Sequence, residues 1–290
     1  MNLFIQNSIS LFSLNVLAKE NNIKKIEGFS APESVIEFKD NIYVSNVGKK
    51  LEPSTKDGDG FISKLSINGK VLEKNFLPKK GFTLNAPKGM AIIKNVLYVA
   101  DIDRIVAFDL KSGKMLSEIS LEKTGTKFLN DITIKDENTL LVSSTDLGKI
   151  FSIDISKKNY TELALKEILV GVNGLVYKNN ILYFNTFPFD NSGKKGITGT
   201  IDLKTNKIEK ISGLEGFFDG LVYNNDKLIF SDWDAMDKGG KIISYDLKTK
   251  EKKDINVGIK GNADIFYSEK HKKLLIPAMM EGNLYILDLK

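Results

Sequence analysis

Three observations predict that this chain is all-β, a six-bladed β-propeller of four-stranded blades whose last blade is closed by an N-terminal strand. A short opening segment returns six times, an apolar β-branched and aromatic run follows each opening within eight to ten residues, and a third run closes each unit. One such unit cannot bury its own apolar face, so the units must stack or close into a ring.

The elements follow in order. Ile9 to Leu17 is short and apolar, and Val16-Leu17-Ala18 offers residues of the kind that precede a signal-peptidase cut, so residues 1–18 are expected to be a signal peptide and the protein periplasmic or secreted. No Lys or Arg precedes Lys19; the alternative is an apolar tail or strand on a cytoplasmic protein. The stretch is too short to cross a bilayer, and no transmembrane segment is expected. Residues 19–290 then form one propeller domain, beginning with Asn22 to Glu27. The chain ends after the third strand of the sixth unit, so this early stretch is expected to supply the missing fourth strand and remove a sheet edge.

The openings are Pro32-Glu33-Ser34-Val35, Pro87-Lys88-Gly89-Met90, Leu129-Asn130-Asp131-Ile132, Val172-Asn173-Gly174-Leu175, Phe218-Asp219-Gly220-Leu221 and Asn262-Ala263-Asp264-Ile265. Their third residues are separated by 55, 42, 43, 46 and 44 positions, the length of one four-stranded blade. Central blade strands are expected at Ile42-Tyr43-Val44-Ser45, Leu97-Tyr98-Val99-Ala100, Leu140-Leu141-Val142-Ser143, Leu182-Tyr183-Phe184-Asn185, Leu228-Ile229-Phe230-Ser231 and Leu274-Leu275-Ile276-Pro277. Third strands are expected at 61–67, 104–110, 149–155, 197–203, 241–247 and 283–289. Five of them end on Asp before the last apolar residue, and Asp109, Asp154, Asp202, Asp246 and Asp288 read as turn formers.

Composition narrows function. The net charge of +5 is spread over interspersed lysines and acids, and Arg104 is the single arginine, so bidentate reading of phosphates or bases is missing and nucleic acid is not an expected partner. The absence of cysteine excludes disulfides, thiolate metal sites and thiol nucleophiles. Gly-Lys pairs recur at Gly48, Gly69, Gly113, Gly148, Gly193 and Gly240, but none precedes Ser or Thr, so an ATP or GTP site is excluded. Asp57-Gly58-Asp59-Gly60 looks like part of a calcium loop, yet no third acidic ligand follows in place and a turn is the better reading. His271, the only histidine, stands between lysines and reads as an exposed turn residue, which removes histidine acid–base chemistry and a Ser-His-Asp triad.

In a propeller the start of every innermost strand faces the central channel, so Glu33, Lys88, Asn130, Asn173, Asp219 and Ala263 converge on the axis. Glu33, Asn130, Asn173 and Asp219 offer oxygen without sulfur or imidazole, a set that suits a hard divalent cation, Ca2+ first, with Mg2+ or Mn2+ as alternatives. The structural alternative is that these residues only satisfy backbone groups at strand starts. Asp131 and Asp264 add carboxylates near the same mouth, to position water or support the ligands. Lys88 would either meet an anionic substrate or neutralise Glu33, and Trp233 in Asp232-Trp233-Asp234 would form one wall of a substrate site.

On Glu33, Leu129-Asn130-Asp131, Val172-Asn173-Gly174 and Phe218-Asp219-Gly220 the repeat region, Ile23 to Lys290, resembles the regucalcin and gluconolactonase family of six-bladed propellers, and more distantly the paraoxonases. The resemblance implies Glu33, Asn173 and Asp219 as direct ligands of a divalent metal, Asn130 as a direct or water-mediated one, and Asp219 as the group that activates water to open a lactone or ester. Two departures stand beside it: Pro-Glu-Ser replaces the Glu-Gly-Pro common in gluconolactonases, and the paraoxonase histidine pair has no counterpart. Two functions therefore remain: a metal-dependent hydrolase with Asp219 or Asp131 as proton acceptor, or a non-catalytic envelope propeller that binds a small ligand or protein partner, with a structural metal.

Overall fold

The computed structural model describes residues 23–188, 193–234 and 239–289. The expected signal segment, residues 1–18, lies outside them. Six four-stranded antiparallel sheets make up the described chain, and the single helical element among the described residues is a 3-10 turn at Glu122–Thr124.

The innermost strands run Pro32–Phe38, Pro87–Ile93, Leu129–Asp136, Val172–Lys178, Phe218–Asn224 and Phe266–Ser268. The second strands, Asn41–Asn46, Val96–Asp101, Thr139–Ser144, Ile181–Thr186, Lys227–Asp232 and Lys273–Ala278, each begin one residue before the apolar run that predicted them. Third strands occupy Phe61–Ser66, Arg104–Asp109, Lys149–Asp154, Gly196–Asp202, Gly240–Asp246 and Asn283–Asp288. Both central strands of a blade are covered on two faces by neighbouring blades, which is why they read as β-branched and aromatic runs.

Closure follows the expected route. Ile23–Glu27 pairs antiparallel with Asn283–Asp288, Ile23 opposite Leu287 and Ile26 opposite Leu284, completing the sixth sheet. Apolar clusters lie between successive sheets all the way round. Ala91, Tyr98 and Ile105 of blade two meet Leu129, Leu140 and Phe151 of blade three. At the seam, Val35, Val44 and Leu65 of blade one meet Leu275, Leu284 and Ile286 of blade six. The ring is therefore closed by strands from both ends of the described chain sharing one sheet.

Turn chemistry at the rim is as expected for four of the five aspartates. Asp109, Asp154, Asp202 and Asp246 accept backbone N–H groups from the residues that follow them, while Asp288 pairs with Lys273. Asp57 accepts the amide of Asp59, whose own carboxylate accepts the amide of Lys49, so that segment is a self-bonded turn.

Candidate functional site at the channel mouth

The ring is built by a β-bulge that recurs at one place. Between the pairs Pro32–Asn46 and Val35–Val44, two inner-strand residues, Glu33 and Ser34, oppose the single residue Ser45. The same break places Lys88-Gly89 against Ala100, Asn130-Asp131 against Ser143, Asn173-Gly174 against Asn185, and Asp219-Gly220 against Ser231. Such a bulge bends the strand and re-aims the extra residue.

Serine and asparagine at the opposing position hold the bulge. Ser45 Oγ accepts the amide of Ser34 at 2.9 Å, Ser143 Oγ that of Asp131 at 2.9 Å, Asn185 Oδ1 that of Gly174 at 2.8 Å and Ser231 Oγ that of Gly220 at 2.7 Å. Ser231 Oγ in turn donates to the carbonyl of Ala263 in the next blade, 2.7 Å away. These four residues support the site without being among the residues the sequence predicts for it. The signal that could have found them is a polar residue ending an otherwise apolar run.

Glu33, Lys88, Asn130, Asn173 and Asp219 are all buried, with 1 to 6 % exposure. Glu33 Oε2, Asn130 Oδ1, Asn173 Oδ1 and Asp219 Oδ1 lack any hydrogen-bond partner. Each comes from a different blade, and together they are the four oxygens expected to hold a cation. The opposite atoms of two of them are pinned: Asn130 Nδ2 donates to Thr145 Oγ1 at 3.1 Å, and Trp233 Nε1 donates to Asp219 Oδ2 at 3.0 Å. Thr145 Oγ1 donates onward to the carbonyl of Val172, 2.8 Å away, tying the Asn130 amide to the next blade.

Electrostatics show the same convergence. Burial raises the Glu33 carboxyl well above its usual range, the Asp219 charge adds to the shift, and Lys88 opposes it. Burial pushes Asp219 up to about 7 against the indole N–H of Trp233 and the neighbouring Asn173 amide. Asp264 is also raised by burial and by Asp131 and Glu33. Four buried carboxylates thus lie close enough to raise one another, with Lys88 opposing the shift at Glu33, and burying unpaired charge is costly. Orphaned oxygens and surplus negative charge both fit a hard divalent cation.

The remaining predicted residues take other positions. Asp131 gives both oxygens to backbone, accepting the amides of Ile132 and Leu175 at 2.6 Å each, so it rivets blade three to blade four. Burial nevertheless pushes it up to about 6. Asp264 Oδ2 accepts the Ser34 hydroxyl at 2.5 Å across the seam. Both carboxylates line the inner end of an apolar channel cavity of about 300 Å³ with Val35, Leu175, Leu221 and Ile265. Lys88 Nζ donates to the carbonyls of Pro53 and Ala86 and lies 4.5 Å from the Phe128 ring centre, with burial lowering it to about 8. Its contacts are two backbone carbonyls and a ring, and it acts on Glu33 through charge, without an ion pair among the described residues. Trp233 spends its N–H on Asp219 and meets Phe187 edge-on at 5.5 Å, so its indole orients a ring carboxylate.

No family model and no curated protein matches the sequence. Solved structures do match in shape. A catalytically inactive variant of virginiamycin B lyase from Staphylococcus aureus, solved with quinupristin, superposes with a TM-score of 0.58 at 17 % identity, covering 92 % of this chain and 99 % of that one. Kuenenia stuttgartiensis hydrazine synthase superposes with a TM-score of 0.63 at 13 % identity over 91 % of this chain and 78 % of that one. At these identities the likeness is one of fold, and the chain is a six-bladed β-propeller of antiparallel four-stranded blades.

Proposed function

We propose that the protein is a divalent-cation-dependent hydrolase of the gluconolactonase type, opening a lactone or related ester at the channel mouth, with Ca2+ the first candidate. One observation carries this reading: Glu33, Asn130, Asn173 and Asp219, on four different blades, each keep one buried oxygen free of any partner. Bound there, the cation would polarise the substrate carbonyl and stabilise negative charge on its oxygen. Asp219 holds Oδ2 on the Trp233 indole and would turn Oδ1 to the cation, which sets its carboxylate beside an attacking water as the candidate proton acceptor. Asp131 is the weaker candidate base because both of its oxygens already accept backbone amides. The Phe187, Phe217 and Trp233 ring cluster beside Asp219 would present an apolar wall to the substrate. If residues 1–18 act as a signal peptide, this activity would lie outside the cytoplasm.

The test is calorimetric titration of Ca2+, then Mg2+, into chelator-stripped protein, followed by a lactone panel. One-site binding lost in Asp219→Ala, with turnover reduced roughly a hundredfold or more in Asp219→Asn, is the expected result. Binding without hydrolysis of any lactone would identify a ligand- or partner-binding propeller with a structural cation; no binding would remove the metal reading altogether.

A further inference from the structure

At the opposite end of the inner strands a second group of metal-ligating side chains straddles the seam where the ring closes. Glu37 lies at the end of the inner strand of blade one, and Asp40 follows in the Lys39-Asp40 turn, whose φ values of 48° and 61° belong to a tight primed hairpin. His271 comes from the equivalent turn of blade six. The sequence predicts an exposed turn residue there; instead its side chain is only 23 % exposed, and it faces both acids. Nε2 lies 2.9 Å from Asp40 Oδ1 and 3.4 Å from Glu37 Oε1, and one ligand atom from each residue falls within a 4.8 Å group.

Ion pairing alone leaves part of this arrangement unexplained. The Glu37 side chain is 9 % exposed, and its Oε2 is buried without a hydrogen-bond partner. An unsatisfied buried carboxylate oxygen is costly, and the one imidazole nitrogen that lies between Asp40 Oδ1 and Glu37 Oε1 cannot also satisfy Oε2. Tetrahedral ligands at zinc bond lengths stand about 3.3 Å apart, close to the two spacings from His271 to the acids. We infer that the seam is a second cation site, in which His271 Nε2, Glu37 and Asp40 bind a borderline transition-metal ion of the zinc class and clamp blade six to blade one. One imidazole and two carboxylates are the ligand types of zinc and its neighbours, whereas the all-oxygen ring at the other end suits calcium. Lys270 Nζ, 2.5 Å from Asp40 Oδ1, occupies part of the site as the competing cation. Its side chain is largely exposed and can swing into solvent as the ion enters.

The sequence holds one histidine, so the imidazole proton resonances of the tag-free, chelator-stripped protein report this site alone. Zn2+ titration should move them saturably to an end point of one ion per chain and raise the thermal midpoint, while Ca2+ leaves them in place. Glu37→Gln and Asp40→Asn should weaken the response about tenfold or more, and Lys270→Met should tighten it. Asp219→Asn should leave it intact. Resonances indifferent to Zn2+, a response unchanged in Glu37→Gln, or one abolished by Asp219→Asn in folded protein would overturn the assignment.

Discussion

Two ring residues divide their polar atoms in the same way, one atom fixed by protein and one turned free. Asn130 gives Nδ2 to Thr145, and Asp219 gives Oδ2 to Trp233. Hydrogen bonds of this kind orient a ligand before the ion arrives, and their loss typically costs ten- to a hundredfold in metal affinity. Thr145→Val, nearly isosteric, and Trp233→Phe, which keeps an aromatic ring but no N–H, should therefore weaken Ca2+ binding by about tenfold. Affinities equal to that of the parent protein would show that the ring is oriented by the bulges alone. Trp233 is visible in the sequence as a lone aromatic, but its role as a donor to Asp219 depends on a rotamer that no pattern encodes.

The inner-strand bulge is the element that turns a repeat into a site. Its second residue is Gly in blades two, four and five because neighbouring backbone leaves no space for a side chain. A Cβ at Gly220 would stand 2.4 Å from the amide nitrogen of Ile265 and 2.8 Å from Asp264 Cα, and one at Gly174 would stand 2.6 Å from the carbonyl of Asp219. Where Ser34, Asp131 and Asp264 replace Gly, the side chain instead reaches across to another strand. Gly220→Ala should cost on the order of 1 to 3 kcal/mol, because backbone must move to admit the methyl group. It should also weaken cation binding, since Asp219 is its neighbour. A variant as stable as the parent in denaturant would mean that blades five and six are further apart than described.

At the scale of the whole molecule, a closed ring concentrates acid on its axis and makes folding depend on what neutralises it. Glu33, Asp131, Asp219 and Asp264 all have carboxyls raised by burial, so the folded chain binds protons more tightly than the unfolded one. Stability from these groups is present below their unfolded values and is lost as pH rises through the folded ones, about 6 for Asp131 and about 7 for Asp219. Lys88, lowered to about 8, works in the other direction only at the alkaline edge of that window. Chelated protein should therefore melt at a higher temperature at about pH 5 than at about pH 8, and saturating Ca2+ should flatten the difference. A midpoint that rises with pH in the absence of metal would contradict the buried-acid ring.

Much of this architecture was determined by the sequence alone. The openings near Glu33, Lys88, Asn130, Asn173, Asp219 and Ala263, the second and third strands, and the closing strand before Gly28 were legible because strands buried on both faces produce long apolar runs at a constant period. The outer strands were not legible. Val71–Leu77 and Asn159–Glu162 are largely exposed, so their residues show no alternation of buried and exposed positions to set them apart from the turns around them. Tertiary structure alone decided which atom of each ring residue stays free, and it made Asp131 a rivet to Leu175, 44 residues on. It also drew His271 to Asp40, 231 residues away in sequence. Those outcomes depend on contacts between blades, and a repeat pattern specifies which residues recur without specifying how neighbouring repeats meet.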